Sequence, residues 1–451
     1  MPTLVYRITR LLKSLLRRVP LGTNLGLLHL LWALMSGRFL TSRGAIFPAL
    51  ADLGLCAAAV RRASAALNYG RFECDDLVAD WKQTVEKEGN FQPHSHEGMR
   101  PVPVDLVGFF RPRLEGCATK HYTSQANKAL PAIVFGMVGA TGSVGKSRYC
   151  LPRLFVPMQP GETSEADLQK RTLDLAARTL SKAEVLVLDA GFCLADLLAL
   201  DRGQFDSKAG IGPVFVMRAA KNFTARKNAL PTYKGKGRPP EKGDLVRPLP
   251  RKYKKKTLPA TPPDGSARFK VGGRMIRAIF FDDLVLTDAK PGSNSFRCVV
   301  FFDPRYEEPL ILVTNLPKSV SARALWHLYR DRWPIEQLPL AGKQMLGAER
   351  SFVFAPTSQQ RLPLLALLAA NVLSYVAACS APVATGFWDR VCRPTCGRLR
   401  RVLARLNFSE LAFEEGQVRK KASLTAHLLK GVRAHRRSRA DLKPTTERLA
   451  A

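Results

Sequence analysis

Acidic residues are scarce in this chain: 37 Asp and Glu stand against 70 Lys and Arg, a formal net charge of +33 over 451 residues. That excess is larger than solubility requires and points to a polyanionic partner, nucleic acid ahead of an anionic membrane surface. Paired cysteines are missing as well. The nine thiols are scattered, Cys392 and Cys396 are the only close pair, and no histidine beside them completes a zinc set. A zinc-knuckle module is thereby excluded, and free thiols in a reducing cytosol are expected. A clear export signal is also lacking. The apolar run "LGLLHLLWALMS" at 25–36 follows basic residues, but it is short, comes late and contains His29. It is expected as a buried amphipathic helix.

Apolar residues are plentiful at 46%, enough to bury a sizeable core, and the length suits two or three domains. The stretch "LPLLALLAANVLSYVAACSA" from Leu362 is long enough to span a bilayer. It stands isolated in a very basic chain, so a central core helix is expected, with no membrane association. A basic membrane-surface protein is the reading that the two apolar segments alone would support.

Along the chain, residues 1–95 read as an N-terminal helical domain, with Arg61 and Arg62 between apolar turns suited to touching DNA. From 96 to 221 strand-like runs ("VPVDLVGFF", "PAIVFGMVGAT", "YCLPRLFVPMQP", "EVLVLDAGF", "GPVFVMRAAK") alternate with a helix opened by Thr163 or Ser164 and a second at "LADLLALDRG". This is the pattern of a mixed α/β sheet. Residues 222–308 read as a basic, β-rich insertion, whose stretch 233–265 is so rich in Lys, Arg, Pro and Gly that no packed element is expected there. Residues 309–380 resume the core, and 381–451 form a basic, partly helical or disordered C-terminal region whose tail begins near 416.

Three acids are candidates for chemistry. Asp105 lies inside an apolar strand, where propensity disfavours it, and Asp189 ends another, exposed at the sheet's rim. Glu336 sits in "YRDRWPIEQLPLAGKQMLGAER" with Tyr329, Arg332 and Lys343 at offsets that share one face of a continuous helix. Carboxylates on neighbouring strands plus a helical acid can hold two divalent cations for phosphoryl transfer, and oxygen-only ligands select Mg2+ or Mn2+. Strand-end capping and a solvated, salt-bridged helix are the plainer alternatives. Pro334 is compatible with the first position of a new helix, which would end the preceding one near Asp331; Pro339 would then remove a hydrogen bond and kink it.

The spacing Tyr329-x2-Arg332-x3-Glu336-x6-Lys343 resembles the signature of bacterial insertion-sequence transposases with an Asp-Asp-Glu triad and an RNase H-like core. "VLVLDAGF", "GKGRPP", "ILVTNLP", "LYRDRWPIE" and "LGAER" resemble that family's blocks in its order, so the likeness covers roughly residues 100–378. It implies that Asp105, Asp189 and Glu336 hold two Mg2+ or Mn2+ ions. It also implies that Tyr329, Arg332, Trp333 and Lys343 grip the DNA end, and that strand cleavage at the element's inverted repeats is followed by strand transfer. Double-stranded DNA (transposon ends and target), a homodimer on DNA and a cytoplasmic, nucleoid-associated location follow from the same likeness. The polar residues that often follow the family's first Asp are replaced here by Leu106 and Val107, and bulky apolar residues are usual near Pro339. A catalytically impaired DNA-binding derivative and a metal-dependent endonuclease without strand transfer are the alternatives. Asp282 and Asp283 fall within the insertion and are set aside.

Overall fold

The computed structural model describes residues 2–406, apart from 112–113, 115–116, 118, 124–125, 160–161, 163, 201–212, 234, 236, 254–255, 351–352 and 385. The basic tail beyond 416 lies outside the described residues.

Six helices open the chain: α1 (Pro2–Leu15), α2 (Thr23–Met35), α3 (Arg38–Thr41), α4 (Ile46–Ala51), α5 (Ala57–Tyr69) and α6 (Cys74–Glu88). Then come β1 (Phe91–Pro93), β2 (Arg100–Phe110), β3 (Lys120–Thr123), β4 (Lys128–Val144) and β5 (Ser147–Pro157). Next are α7 (Glu165–Arg178), β6 (Glu184–Leu188), α8 (Leu194–Ala199) and β7 (Phe215–Arg218). Short strands β8 (Ala225–Lys227), β9 (Leu245–Val246), β10 (Arg251–Tyr253) and β11 (Lys256–Leu258) precede β12 (Gly265–Val271), β13 (Arg274–Val285), β14 (Phe296–Phe302) and β15 (Leu310–Thr314). The described residues end with α9 (Ala322–Arg330), α10 (Pro334–Leu340), α11 (Pro356–Cys379) and α12 (Cys396–Leu403).

Among the described residues, thirteen strands join one mixed sheet, whose main path runs β1-β4-β2-β6-β7-β15-β14-β13-β8-β9. β5, β4 and β2 pair antiparallel, β2, β6 and β7 pair parallel, and β15, β14 and β13 continue antiparallel. β6, "EVLVL", is buried at every position, as a parallel strand covered on both faces should be. The protein is thus a mixed α/β structure. α7 shows how locally the sequence writes its elements. Ser164 accepts the Asp167 N–H while the Asp167 carboxylate accepts the Ser164 N–H, a reciprocal cap that fixes the helix start.

Three expectations change. α2 is buried on essentially every side rather than amphipathic, because it lies between α5 and α11. Its close contact needs Gly26, where a Cβ would stand 2.5 Å from the Cβ of Ala66. The N-terminal helices are not packed apart from the rest: Leu31, Trp32, Trp81 and Val85 share one apolar core with Phe135, Tyr149 and α11. The stretch 233–265 also contributes structure. β9 pairs with β8, Val246 is buried with Ala225 and Leu284, and Leu249 packs against the same core, so apolar residues among the prolines dock it. The wider segment 222–308 extends the main sheet, since β14 pairs directly with β15.

α11 is the one helix among the described residues that is long and apolar enough to cross a membrane, and 83% of its most apolar window is buried inside the protein.

Candidate active site

β2 and β6 lie side by side in parallel with Pro103 opposite Val187. Two residues further on come Asp105, within β2, and Asp189, just past the end of β6. The two acids thus follow the same end of neighbouring parallel strands, near enough for the Asp189 charge to act on Asp105.

Glu336 arrives from the far end of the sequence. Ser321 caps α9 by accepting the Ala324 N–H, and the helix stops at Arg330. Residues 331–333 turn, and Pro334 opens α10 at its first position, where a missing N–H leaves no bond unmade. Pro339 lies inside α10 and cannot donate to the Ile335 carbonyl. Directly after it, Ala341–Met345 winds as a π turn, with the Leu346 N–H donating to Ala341 O at 3.2 Å. The wider turn absorbs the altered winding, so the element bends without ending. Tyr329, Arg332, Glu336 and Lys343 therefore do not ride one continuous helix, yet their side chains come to the same place.

Arg332 links the acids. Its Nη2 is 2.6 Å from Glu336 Oε1 and 4.0 Å from Asp189 Oδ2. The Tyr329 hydroxyl donates to Asp189 Oδ1 at 3.2 Å, and Arg218 Nη1, at the end of β7, is 3.8 Å from the same oxygen. Lys343 Nζ sits 5.3 Å from the ring centroids of both Phe109 and Phe110, on the strand that carries Asp105. Trp333 is 53% exposed. It lines an open cavity of about 710 Å³ with Arg148, Arg218, Arg305, Arg330, Arg332 and Tyr306.

Burial pushes the Asp105 carboxyl up to about 6, against the pull of Arg332 and the Leu106 N–H, with Glu336 and Asp189 adding to the rise. Burial likewise raises Tyr329, and it lowers Lys343 despite Glu349 and Asp105. Burial opposes the Arg332 charge too, but Tyr329, Asp189 and Glu336 outweigh it and raise its pKa. Arg332 Nε and Nη1 are nevertheless buried without a hydrogen-bond partner. Three carboxylates are the donor chemistry of a hard divalent cation such as Mg2+ or Mn2+, but their oxygens are not gathered within 4.8 Å of one another here: Arg332 stands between Asp189 and Glu336, and a cation would have to displace it.

Of the seven residues singled out in the sequence, Tyr329, Asp189, Arg332 and Glu336 are in direct contact, Asp105 and Lys343 feel each other's charge, and Trp333 lines the neighbouring cavity. Asp282 lies elsewhere: it faces Arg297 Nε at 3.1 Å and Lys318 at 3.8 Å. Asp283 occupies an irregularity in β13 at φ 52°, accepting from Asn228 at 3.1 Å. The sequence reading overlooked Arg218, whose only signal was a cation closing the apolar run of β7, and the "HSH" at 94–96 near Asp331. No protein-family model matches the chain, and no curated protein is similar to it in sequence.

Proposed function

We propose that the chain is a DNA transposase of the Asp-Asp-Glu type, acting through Asp105, Asp189 and Glu336. The observation that carries this reading is the convergence of Asp189 and Glu336 on Arg332, with Asp105 close enough to feel the charge of all three, although the acids come from β2, the end of β6 and α10. The antiparallel meander β5-β4-β2 continued by parallel β6 and β7 supports an RNase H-like core.

The three acids would hold two Mg2+ or Mn2+ ions. Bound there, the cations supply the charge that activates a water or a 3′-hydroxyl and stabilises the attacking and leaving oxygens of an in-line displacement. The rest falls to the protein's own groups. Arg332 places a positive charge beside Asp189 and Glu336 where a phosphate would dock, and Lys343 brings a second cation held against Phe109 and Phe110. Tyr329 holds Asp189 through its hydroxyl. Trp333, half open among arginines, offers a ring face to a base next to the cut. The +33 charge suits long contact with duplex phosphates, and two such sites on one DNA complex imply a homodimer, in the cytoplasm at the nucleoid.

The test is cleavage and joining of DNA bearing the element's terminal inverted repeats, in Mg2+. Wild type nicks the ends and yields a product joined to a target plasmid, whereas Glu336→Gln loses at least about 100-fold in rate while still binding the ends. Equal rates for the two proteins sink the catalytic reading and leave a DNA-binding derivative. Nicking without a joined product leaves an endonuclease.

A further inference from the structure

A second cluster stands beside the acid site and takes no part in it. The turn between β1 and β2 carries His94 and His96, and across from them lies Asp331, the residue just before Arg332. His94 Nδ1 is 2.8 Å and His96 Nε2 is 2.7 Å from one and the same oxygen, Asp331 Oδ2. The three donor atoms all lie within 4.8 Å of one another. Asp331 is sealed at 2% exposure while both imidazoles keep 22%, which leaves an entry path from solvent.

We propose that His94, His96 and Asp331 form a binding site for a borderline-soft dication of the Zn2+ class, separate from the all-oxygen site of Asp105, Asp189 and Glu336. Two imidazole nitrogens and one carboxylate oxygen are a zinc donor set and a poor one for Mg2+. Metal–ligand bonds of about 2.0–2.2 Å put tetrahedral donors about 3.3 Å apart, so the present contacts have to open by about half an ångström.

The neighbours already orient each ligand as a metal requires. His94 Nε2 is 2.6 Å from Ser143 Oγ, so with Nδ1 on the ion the ring keeps its proton on Nε2 and donates it to the hydroxyl. The His96 ring stacks on that of His327 with centroids 5.3 Å apart. Asp331 Oδ1 faces Arg148 Nη2 at 3.7 Å, leaving Oδ2 for the ion, and its backbone carbonyl accepts from Thr141 Oγ1 at 2.7 Å. On loading, the lone pairs of His94 Nδ1 and His96 Nε2 face the ion, and any proton those nitrogens carry is released to solvent.

The position gives the site a role. One side of it is the turn leading into β2 and Asp105; the other is the turn that sets Tyr329, Arg332 and Glu336. An ion there ties the two together as a structural lock.

The experiment uses the full chain, stripped with chelator and titrated with Zn2+ by calorimetry and with Co2+ by its visible ligand-field absorption. Wild type takes up an ion with a tetrahedral Co2+ spectrum, and Zn2+ raises its unfolding temperature. His96→Ala and His94→Gln each weaken this binding at least about 10-fold, while Glu336→Gln binds as wild type. Both histidines are partly open, and far-UV circular dichroism verifies the fold of each variant. Zn2+ held elsewhere, on thiols, is common to all the proteins, so the difference between them isolates this site. Absence of uptake by wild type, or wild-type affinity in both histidine variants, overturns the proposal. None of these readouts involves DNA, so failure here and failure of the transposase reading are separate results.

Discussion

Arg153 and Arg332 are both largely buried cations facing carboxylates, but they are used differently. Arg153 commits both terminal nitrogens to one carboxylate: Nη1 donates to Glu184 Oε2 at 2.9 Å and Nη2 takes the other oxygen, while its Nε is buried without a partner; the Ser181 N–H adds a bond to Glu184 at 2.9 Å. Burial would raise Glu184, but Arg153 and the Ser181 N–H outweigh it and hold it at about 2. The ordinary value is 4.5. The unfolded chain therefore binds more protons than the folded one in that window. Stability from this group is complete above about pH 4.5 and is lost as pH falls toward 2. Glu184→Gln should cost about 1–3 kcal/mol at neutral pH and flatten the acid limb of the stability curve, read by urea unfolding at several pH values. An unchanged acid limb would refute the assignment. Arg332 differs in dividing one terminal nitrogen, Nη2, between two carboxylates, 2.6 Å from Glu336 and 4.0 Å from Asp189, rather than closing a two-pronged pair with one.

At the scale of elements, local patterns in the sequence were informative where they concerned one segment at a time. Strand-like "VPVDLVGFF" and "EVLVLDAGF", the Ser164 cap and the Pro334 helix start all follow from residue chemistry within a few positions. What such patterns do not carry is the partner. A period of 3.6 or 2 tells which side of an element is apolar, not which neighbour covers it, so α2 was expected to show a polar face that α5 and α11 in fact cover. The spacing around Glu336 is similar: it pointed to one site, but for a continuous helix that is broken at 331–333. Pro339 supplies the next test. Its missing N–H leaves the Ile335 carbonyl without its usual helical donor, and the chain winds as a π turn immediately afterwards. Pro339→Ala restores the donor and should stabilise by about 1–3 kcal/mol, measured as a higher urea midpoint. A lower midpoint would mean that packing around the π turn, rather than the proline, dictates the winding.

For the whole molecule, charge and core lead to different conclusions about how divisible the chain is. The helical pattern of 1–95 reads as a DNA-binding domain that precedes the sheet. The packing runs through that boundary. Asn371, buried in α11, accepts from Trp81 Nε1 of α6 at 2.7 Å and donates to the Cys150 carbonyl of β5 at 2.8 Å, so one side chain joins three layers. Trp81 meets Tyr375 edge-on at 5.4 Å between centroids. Arg361, near the start of α11, donates to the carbonyls of Leu67, Gly70 and Phe72. Removing residues 1–95 would strip α11 of these partners and expose Leu364, Leu365, Leu368 and Val372, each now 4% exposed or less. Exposed apolar surface on that scale costs about 25 cal/mol per Å², and the lost bonds leave Asn371 and Arg361 short of partners. A 96–380 fragment should therefore aggregate or stay molten, binding a hydrophobic dye and melting without a cooperative transition, while the full chain unfolds in a single step. A soluble 96–380 fragment with its own sharp transition would mean that the helices are an appended domain after all, and that the shared core contributes little to holding Glu336 in place.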